Sequence, residues 1–314
     1  MVTLRKTKEL DKALLVGKIR EQFKSIGKLK YQRTLLEFFN DEKQFLGDNV
    51  FETTFKSRES DAPLIYEVSG PYDVVSNEYA TIARVYYRGN LKYAYDIKPG
   101  ILQRTAAMVW LYLDTLQHPL GKTLFVGAGK LALHIAAYLK HFSPDLKNID
   151  YQDITRKVDN FELPLKKIDI QASYLDQHDF SMYDTIIFAT NTSTCIIHEG
   201  NFSRLKPGSV IVSLCTTSQS GEISKEIYAR SDINTFLDYD LTKTFTEDMR
   251  SANHLGYLDK SILYADILAG RSDFDVHAKV NIVRLTGTPI QNVAVIDMML
   301  EEEDEYPANS SNAD

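Results

Sequence analysis

The chain has 314 residues, 44% hydrophobic and 25% charged, with a formal net charge of -7 and a pI near 5.6. That length and apolar content suit two domains with sizeable cores, and the acidic balance argues against a general nucleic-acid or anionic-membrane partner. The two cysteines, Cys195 and Cys215, are too few for a disulfide framework and read as buried thiols in a reducing compartment.

Charges recur every few positions in the first 28 residues, which therefore do not read as a secretory signal. No later run approaches the roughly 20 apolar residues of a membrane span, and a cytoplasmic protein is the expectation. Leu10, Leu14, Leu15, Ile19 and Phe23 recur at helical spacing and predict an amphipathic helix. From about residue 49, short aromatic and β-branched runs predict strands at 49–57, 63–70, 79–89 and 91–97, with a hairpin turn at Gly89-Asn90. Five of the 18 tyrosines fall there: Tyr66, Tyr86, Tyr87, Tyr93 and Tyr95. Alternating strand tyrosines pack sheets and interfaces, although they would also suit an aromatic pocket or a proton donor. Pro99-Gly100 then breaks the pattern before a helix that runs to about residue 116.

A new texture begins at Lys122. Apolar strand runs alternate with helical patterns, which implies parallel βαβ units covered on both faces. The first, TLFV, leads directly into Gly127-Ala128-Gly129-Lys130-Leu131-Ala132. In a strand–turn–helix, Gly127 permits the tight turn, and Gly129 lets the backbone approach a pyrophosphate. Ala132 allows close packing, and the helix N-terminus offers N–H groups to the anion. The next strand ends at Asp153, about 20 residues beyond Ala132, where an acid accepts from ribose hydroxyls and favours NAD(H) over NADP(H). Arg156 nearby is the alternative, as a partner for a 2′-phosphate. Thr190-Asn191-Thr192 follows a strand and forms a candidate crest beside the cofactor.

The seven histidines show no metal-ligand spacing. Arg271, Asp273 and Asp275 suit either an ion-pair hinge or a solvated loop. After about residue 275, AKVNIVRLTGTPIQNVAVIDMMLEEEDEY contains one more strand-like run and a final helix, and the acidic tail reads as disordered beyond Tyr306.

Three segments together, GILQRTAAM, TLFVGAGKLA and LAGRSDFD with VNIVRLTGTPIQNVAVID, resemble the ornithine cyclodeaminase and mu-crystallin family over residues 90–300. The resemblance implies an α/β chain in which a Rossmann dinucleotide-binding domain, 118–287, is inserted into a β-rich α+β domain, 1–117 plus about 288–314. The β-rich domain would bind substrate and form a homodimer. It implies NAD(P)-dependent chemistry on a small amino-acid or imine substrate. Arg104 matches the family arginine that grips the substrate α-carboxylate, a task suited to its two-pronged guanidinium. Thr286 and Gly287 would border the nicotinamide.

Two positions depart from the family. Its lysine falls here near Tyr66 or Glu67, neither of which can replace an ammonium, so Arg84 and Lys92 are the candidate stand-ins and Tyr66 a further catalytic candidate. The aspartate that cyclodeaminases carry is replaced by Thr216 or Thr217. Loss of ammonia with ring closure needs a positioned acid/base, which threonine is not. Reduction of an existing imine needs no such group. The expectation is therefore an imine reductase or amino-acid dehydrogenase. The alternatives are an ornithine-type cyclodeaminase and a silent mu-crystallin-like binding protein.

Overall fold

A computed structural model describes residues 4–25, 29–39, 45–56, 64–73, 78–79, 81–87, 89–177, 179–190, 192, 194–214 and 221–302. The chain divides into two compact units, Met1–Arg104 with Pro289–Asp314, and Thr105–Thr288.

The first unit holds strands β1 (Leu4–Lys6), β2 (Leu29–Phe39), β3 (Phe45–Lys56), β4 (Leu64–Asp73), β5 (Glu78–Tyr79), β6 (Ile82–Tyr87) and β7 (Asn90–Asp96). They form one sheet in the order β1-β7-β6-β4-β3-β2, with β5 paired to β4. All pairs are antiparallel except β1 with β7. Helix α1 (Lys12–Lys24) buries Leu15, Val16, Ile19 and Phe23, capped by the Asp11 carboxylate, which accepts the Leu14 N–H at 2.7 Å. Leu14 itself is exposed. Helix α2 (Lys98–Thr115) follows the sheet, and the last helix of the chain (Pro289–Glu301) lies against α1, β2, β3 and β4. That last helix is buried at every position from Pro289 to Leu300, as its nearly unbroken apolar sequence requires.

The second unit is a parallel sheet. Its elements are β8 (Thr123–Val126), α3 (Lys130–Phe142), β9 (Asn148–Gln152), α4 (Leu163–Lys166), β10 (Gln171–Tyr174), β11 (Thr185–Phe188), α5 (Glu199–Phe202), β12 (Val210–Ser213), β13 (Ile233–Leu237), α6 (Glu247–His254), β14 (Ile262–Leu263), α7 (Tyr264–Leu268) and β15 (Val280–Arg284); the last helix, Pro289–Glu301, is α8. The strand order is β10-β9-β8-β11-β12-β15-β13-β14. Successive strands run outward from β8 to β10, then the chain returns to β11 on the other side. This is the doubly wound Rossmann order, whose switch point lies between β8 and β11. Strands β8, β11, β12, β13 and β15 are buried at every residue, as parallel strands covered on both faces must be.

Three local expectations are corrected. Pro99 and Gly100 do not precede α2 but open it, since the first turn tolerates a proline. Gly100 is needed there, because a Cβ would stand 2.6 Å from Val295 Cγ1. Gly89 has a φ of 75°, and Asn90 already pairs with Tyr87, so Asn90 is a strand residue. Cys195 is exposed rather than buried, its thiol donating to the Ile197 carbonyl at 3.2 Å. Cys215 and the tail beyond Tyr306 lie outside the described residues, as do Asn191, Thr216 and Thr217.

Candidate functional site

The glycine turn connects β8 to α3 at the switch point. Gly127 has a φ of 92°, and its N–H donates to the Gln152 carbonyl at 2.8 Å. A Cβ at this position would meet the Ala189 carbonyl oxygen at 2.4 Å. Glycine is therefore required by the protein itself. Gly129 differs: it is exposed, takes a φ of -87° as the N-cap of α3, and a Cβ there would meet nothing within 4 Å. That open approach sits beside the free N–H groups of the first helical turn, with Lys130 exposed, Leu131 half-buried and Ala132 fully buried. The arrangement fits an incoming phosphate.

Asp153 lies directly over this turn. One carboxylate oxygen accepts the Ala128 N–H at 2.8 Å, the other accepts the Ile154 N–H at 2.7 Å, and Lys157 Nζ stands 3.7 Å away. Arg156 is turned to a different partner. Its guanidinium forks onto Glu162 at 2.8 and 2.9 Å, and that pairing holds the Glu162 carboxyl below its ordinary range. The Tyr151 hydroxyl donates to the same carboxylate at 2.5 Å. Burial, then that bond, pushes Tyr151 up to about 12.

Across the switch point, Thr190 and Thr192 follow β11. The Thr190 hydroxyl donates to Glu222, and the Thr192 N–H reaches the Thr190 hydroxyl oxygen at 3.4 Å. Thr286 lies past β15, its hydroxyl 3.3 Å from that of Thr242, and Gly287 has a φ of 76°.

In the first unit, Arg104 is buried on α2. Its Nε donates to Asn292 Oδ1 at 3.0 Å and its Nη1 to Gln291 Oε1 at 2.6 Å, both from the first turn of α8. These acceptors fix the guanidinium plane. Tyr66, near the position of the family lysine, and the stand-ins Arg84 and Lys92 are scattered. Tyr66 is buried and donates to Asp297 Oδ1 at 2.8 Å, while Gln22 donates to Asp297 Oδ2 at 3.0 Å. Arg84 is half-buried opposite Glu67 in the β4–β6 register, and Lys92 is exposed on β7. Glu67 accepts the Tyr86 hydroxyl at 2.9 Å, and burial, then this carboxylate, raises the Tyr86 phenol. Arg271 pairs with Asp266 on the surface at 2.5 Å, so it belongs to a solvated loop.

The polar groups that sequence reasoning passed over are Asp297, Glu222, Arg284 and Asp248. Two carried a usable signal: Arg284 interrupts the apolar strand VNIVRL, and Asp297 interrupts the apolar helix NVAVIDMML. Charges at such positions are buried, and buried charges have partners. Among the described residues, no group of His, Cys, Asp or Glu side chains is placed to hold a metal ion. No described helix is long and apolar enough to cross a membrane.

No family model and no curated protein matches the sequence. Solved structures do match. A probable ornithine cyclodeaminase from Bordetella pertussis Tohama I superposes with a TM-score of 0.79 at 16% identity, covering 94% of this chain and 95% of that one. The Delta(1)-pyrroline-2-carboxylate reductase of Thermococcus litoralis, in complex with NADH and L-proline, gives 0.78 at 14% identity, covering 95% and 96%. The iminosuccinate reductase of Paracoccus denitrificans, in complex with NAD+, gives 0.75 at 16%, covering 96% and 95%. The chain has the fold of these proteins. The fold expected from the resemblance, ornithine cyclodeaminase-like with a Rossmann unit, is the one observed.

Proposed function

We propose that the chain is an NAD(P)H-dependent oxidoreductase acting on C–N bonds, which moves a hydride between the nicotinamide and the carbon of an amino-acid-derived imine. One observation carries this reading: an open glycine turn at the switch point of a fold whose neighbours include two imine reductases, one in complex with NADH and one with NAD+. When bound, the nicotinamide supplies or accepts the hydride.

The residues of this chain supply the rest. Gly127, Ala128, Gly129, Lys130, Leu131 and Ala132 hold the pyrophosphate. Asp153 meets the adenosine ribose, which favours NAD(H) over NADP(H), and the engagement of Arg156 by Glu162 supports the same preference. Thr190, Asn191, Thr192, Thr286 and Gly287 flank the nucleotide. Arg104 grips the substrate α-carboxylate with a guanidinium already oriented by Gln291 and Asn292. An iminium carbon is electrophilic without further activation, so orientation and exclusion of water suffice. A homodimer acting in the cytoplasm belongs to the same proposal and rests on the resemblance.

The test is loss of NADH and NADPH absorbance with purified protein, against cyclic imino acids and pairs of 2-oxo acids with amines. Turnover with an α-carboxylate imine is the expected result, faster with NADH. Ammonia release from a diamino acid without net change in NADH would replace the proposal with cyclodeamination. Tight NADH binding without turnover on any member would replace it with a binding protein.

A further inference from the structure

Behind the crest after β11 lies a buried ionic cluster that the proposed chemistry does not use. The strand register aligns Phe188 with Ser213, and Ser213 with Arg284, so these residues close the C-terminal ends of β11, β12 and β15 in one row. Arg284 and Glu222 are both fully buried. Arg284 donates to the Ser213 hydroxyl, to Thr246 Oγ1 at 2.9 Å and to Asp248 Oδ1 at 3.1 Å. Ser213 in turn donates to Glu222. The other Glu222 carboxylate oxygen accepts the Thr190 hydroxyl. The backbone around Glu222 is itself fastened, because its carbonyl accepts the N–H groups of Ile196 and Ile197, and Ser224 N–H returns to Ile197.

A buried ion pair is a weak stability device compared with apolar side chains of similar volume. Its placement at the ligand-binding edge of the sheet calls for another role. We infer that Glu222 is a positioning residue for the dinucleotide: through the Thr190 hydroxyl it holds the crest after β11 against the glycine turn after β8. This rests on the reading of that edge as the cofactor site.

The geometry links the two lips of the crevice through one side chain. The Thr190 hydroxyl gives its proton to Glu222, and its oxygen faces the Thr192 N–H, which fixes the rotamer. That rotamer turns Thr190 Cγ2 toward Gly127, where a Cβ would stand 3.1 Å from it. Glu222 thus sets Thr190, Thr190 packs on Gly127, and Gly127 sets the turn. Valine at 190 would keep the methyl and lose the tether. Serine would keep the tether and lose the methyl.

The experiment measures the Kd for NADH by fluorescence titration of the full chain, with a thermal melt of each protein. The set is wild type, E222Q, T190V, T190S and the double variant E222Q/T190V. T190V is expected to raise the Kd about tenfold, as loss of a hydrogen bond to a charged group predicts, and E222Q, which keeps an acceptor oxygen without the charge, is expected to raise it by less. The double variant is expected to bind no more weakly than T190V, because once the hydroxyl is gone E222Q has no tether to the crest left to weaken. T190S, which keeps the tether but loses the methyl on Gly127, is expected to bind more weakly than wild type and more tightly than T190V. Full binding by T190V, or additive losses in the double variant, would overturn the inference and leave Glu222 a residue of the fold alone. If E222Q fails to fold, the contrast between T190V and T190S still decides. Wild-type protein that binds neither NADH nor NADPH would overturn the cofactor reading as well, whereas tight wild-type binding unaffected by T190V overturns the inference only.

Discussion

In the second unit, β8, β11 and β12 are buried at every residue, whereas β6 in the first unit alternates half-buried and buried positions. The polar groups follow the same division. Glu222, Ser213, Arg284, Thr246 and Asp248 form one continuous buried cluster at a sheet edge. In the first unit the described polar contacts include Tyr66 and Gln22 on Asp297, Tyr86 on Glu67, and Arg104 on Gln291 and Asn292. A parallel sheet directs all its strand ends to one edge, so functional groups collect there. An antiparallel sheet divides its strand ends between two edges, and in this unit Gln22, Arg104, Gln291, Asn292 and Asp297 come from helices instead. In the first unit the proposed substrate contact rests on one residue.

That residue is Arg104, and it should show the largest effect. Arg104→Ala is expected to lower kcat/KM for an α-carboxylate imine by about a thousandfold, through loss of a bidentate, charge-assisted contact. The NADH Kd should stay unchanged. Arg104→Lys restores charge but not the fork, so it should recover only part of the loss. Steady-state kinetics beside NADH titration checks both, and a parallel loss of NADH binding would show Arg104 to be a residue of the fold.

The glycine turn sharpens the contrast from the other side, because its two glycines do different work. Gly127→Ala forces a Cβ against the Ala189 carbonyl at positive φ and should cost roughly 2–4 kcal/mol of stability. Gly129→Ala meets no protein atom within 4 Å. It should change stability by less than about 1 kcal/mol yet weaken NADH binding about tenfold or more, since the approach to the pyrophosphate is filled. Melting and titration of the two variants separate the roles. Equal binding by Gly129→Ala and wild type would remove the phosphate from this turn.

Tyr66 tests whether the first unit's small polar sets are scaffold or chemistry. Its hydroxyl is buried and committed to Asp297 at 2.8 Å. Tyr66→Phe should cost about 1–3 kcal/mol, the range for losing a hydrogen bond to a charged group, and change kcat by less than about twofold. A larger fall in kcat with little loss of stability would instead make Tyr66 the proton donor.

The second unit was legible in the sequence because two strong signals coincide there. Apolar runs at strand length mark fully covered parallel strands, and Gly127-x-Gly129-x-x-Ala132 marks the switch point. The first unit was harder to read. LKYQRTLLEFF forms the long strand β2 although Leu, Gln, Arg and Glu suit a helix equally well, so pairing with β3 decides what local preference does not. β1 and β14, of three and two residues, are too short to carry a pattern. At the candidate site, spacing singles out Asp153 and the glycines, and the structure brings Asp153 onto the Ala128 N–H. Glu222, Arg284 and Asp248 were not, because they meet only when the ends of distant strands and loops converge. Cys195 was misplaced indoors because a cysteine's ordinary preference for burial says nothing about the loop that carries it.

The smallest expected effect concerns cofactor choice, at the rim of the second unit. Arg156 is 61% exposed and forked onto Glu162, whose own side chain is largely covered. Glu162→Gln should release the guanidinium toward a 2′-phosphate and lower the KM for NADPH a few-fold, with NADH kinetics unchanged. The same pair gives a pH signature. Arg156 holds the Glu162 carboxyl below its ordinary value of 4.5, so its contribution to stability is present above that value. It is lost as the pH falls through the lower, folded-state value. The wild type should therefore melt slightly above Glu162→Gln at pH 7, and the two should converge on acidification. A gap that persists at low pH would mean that the variant disturbs the Tyr151 contact rather than the ion pair.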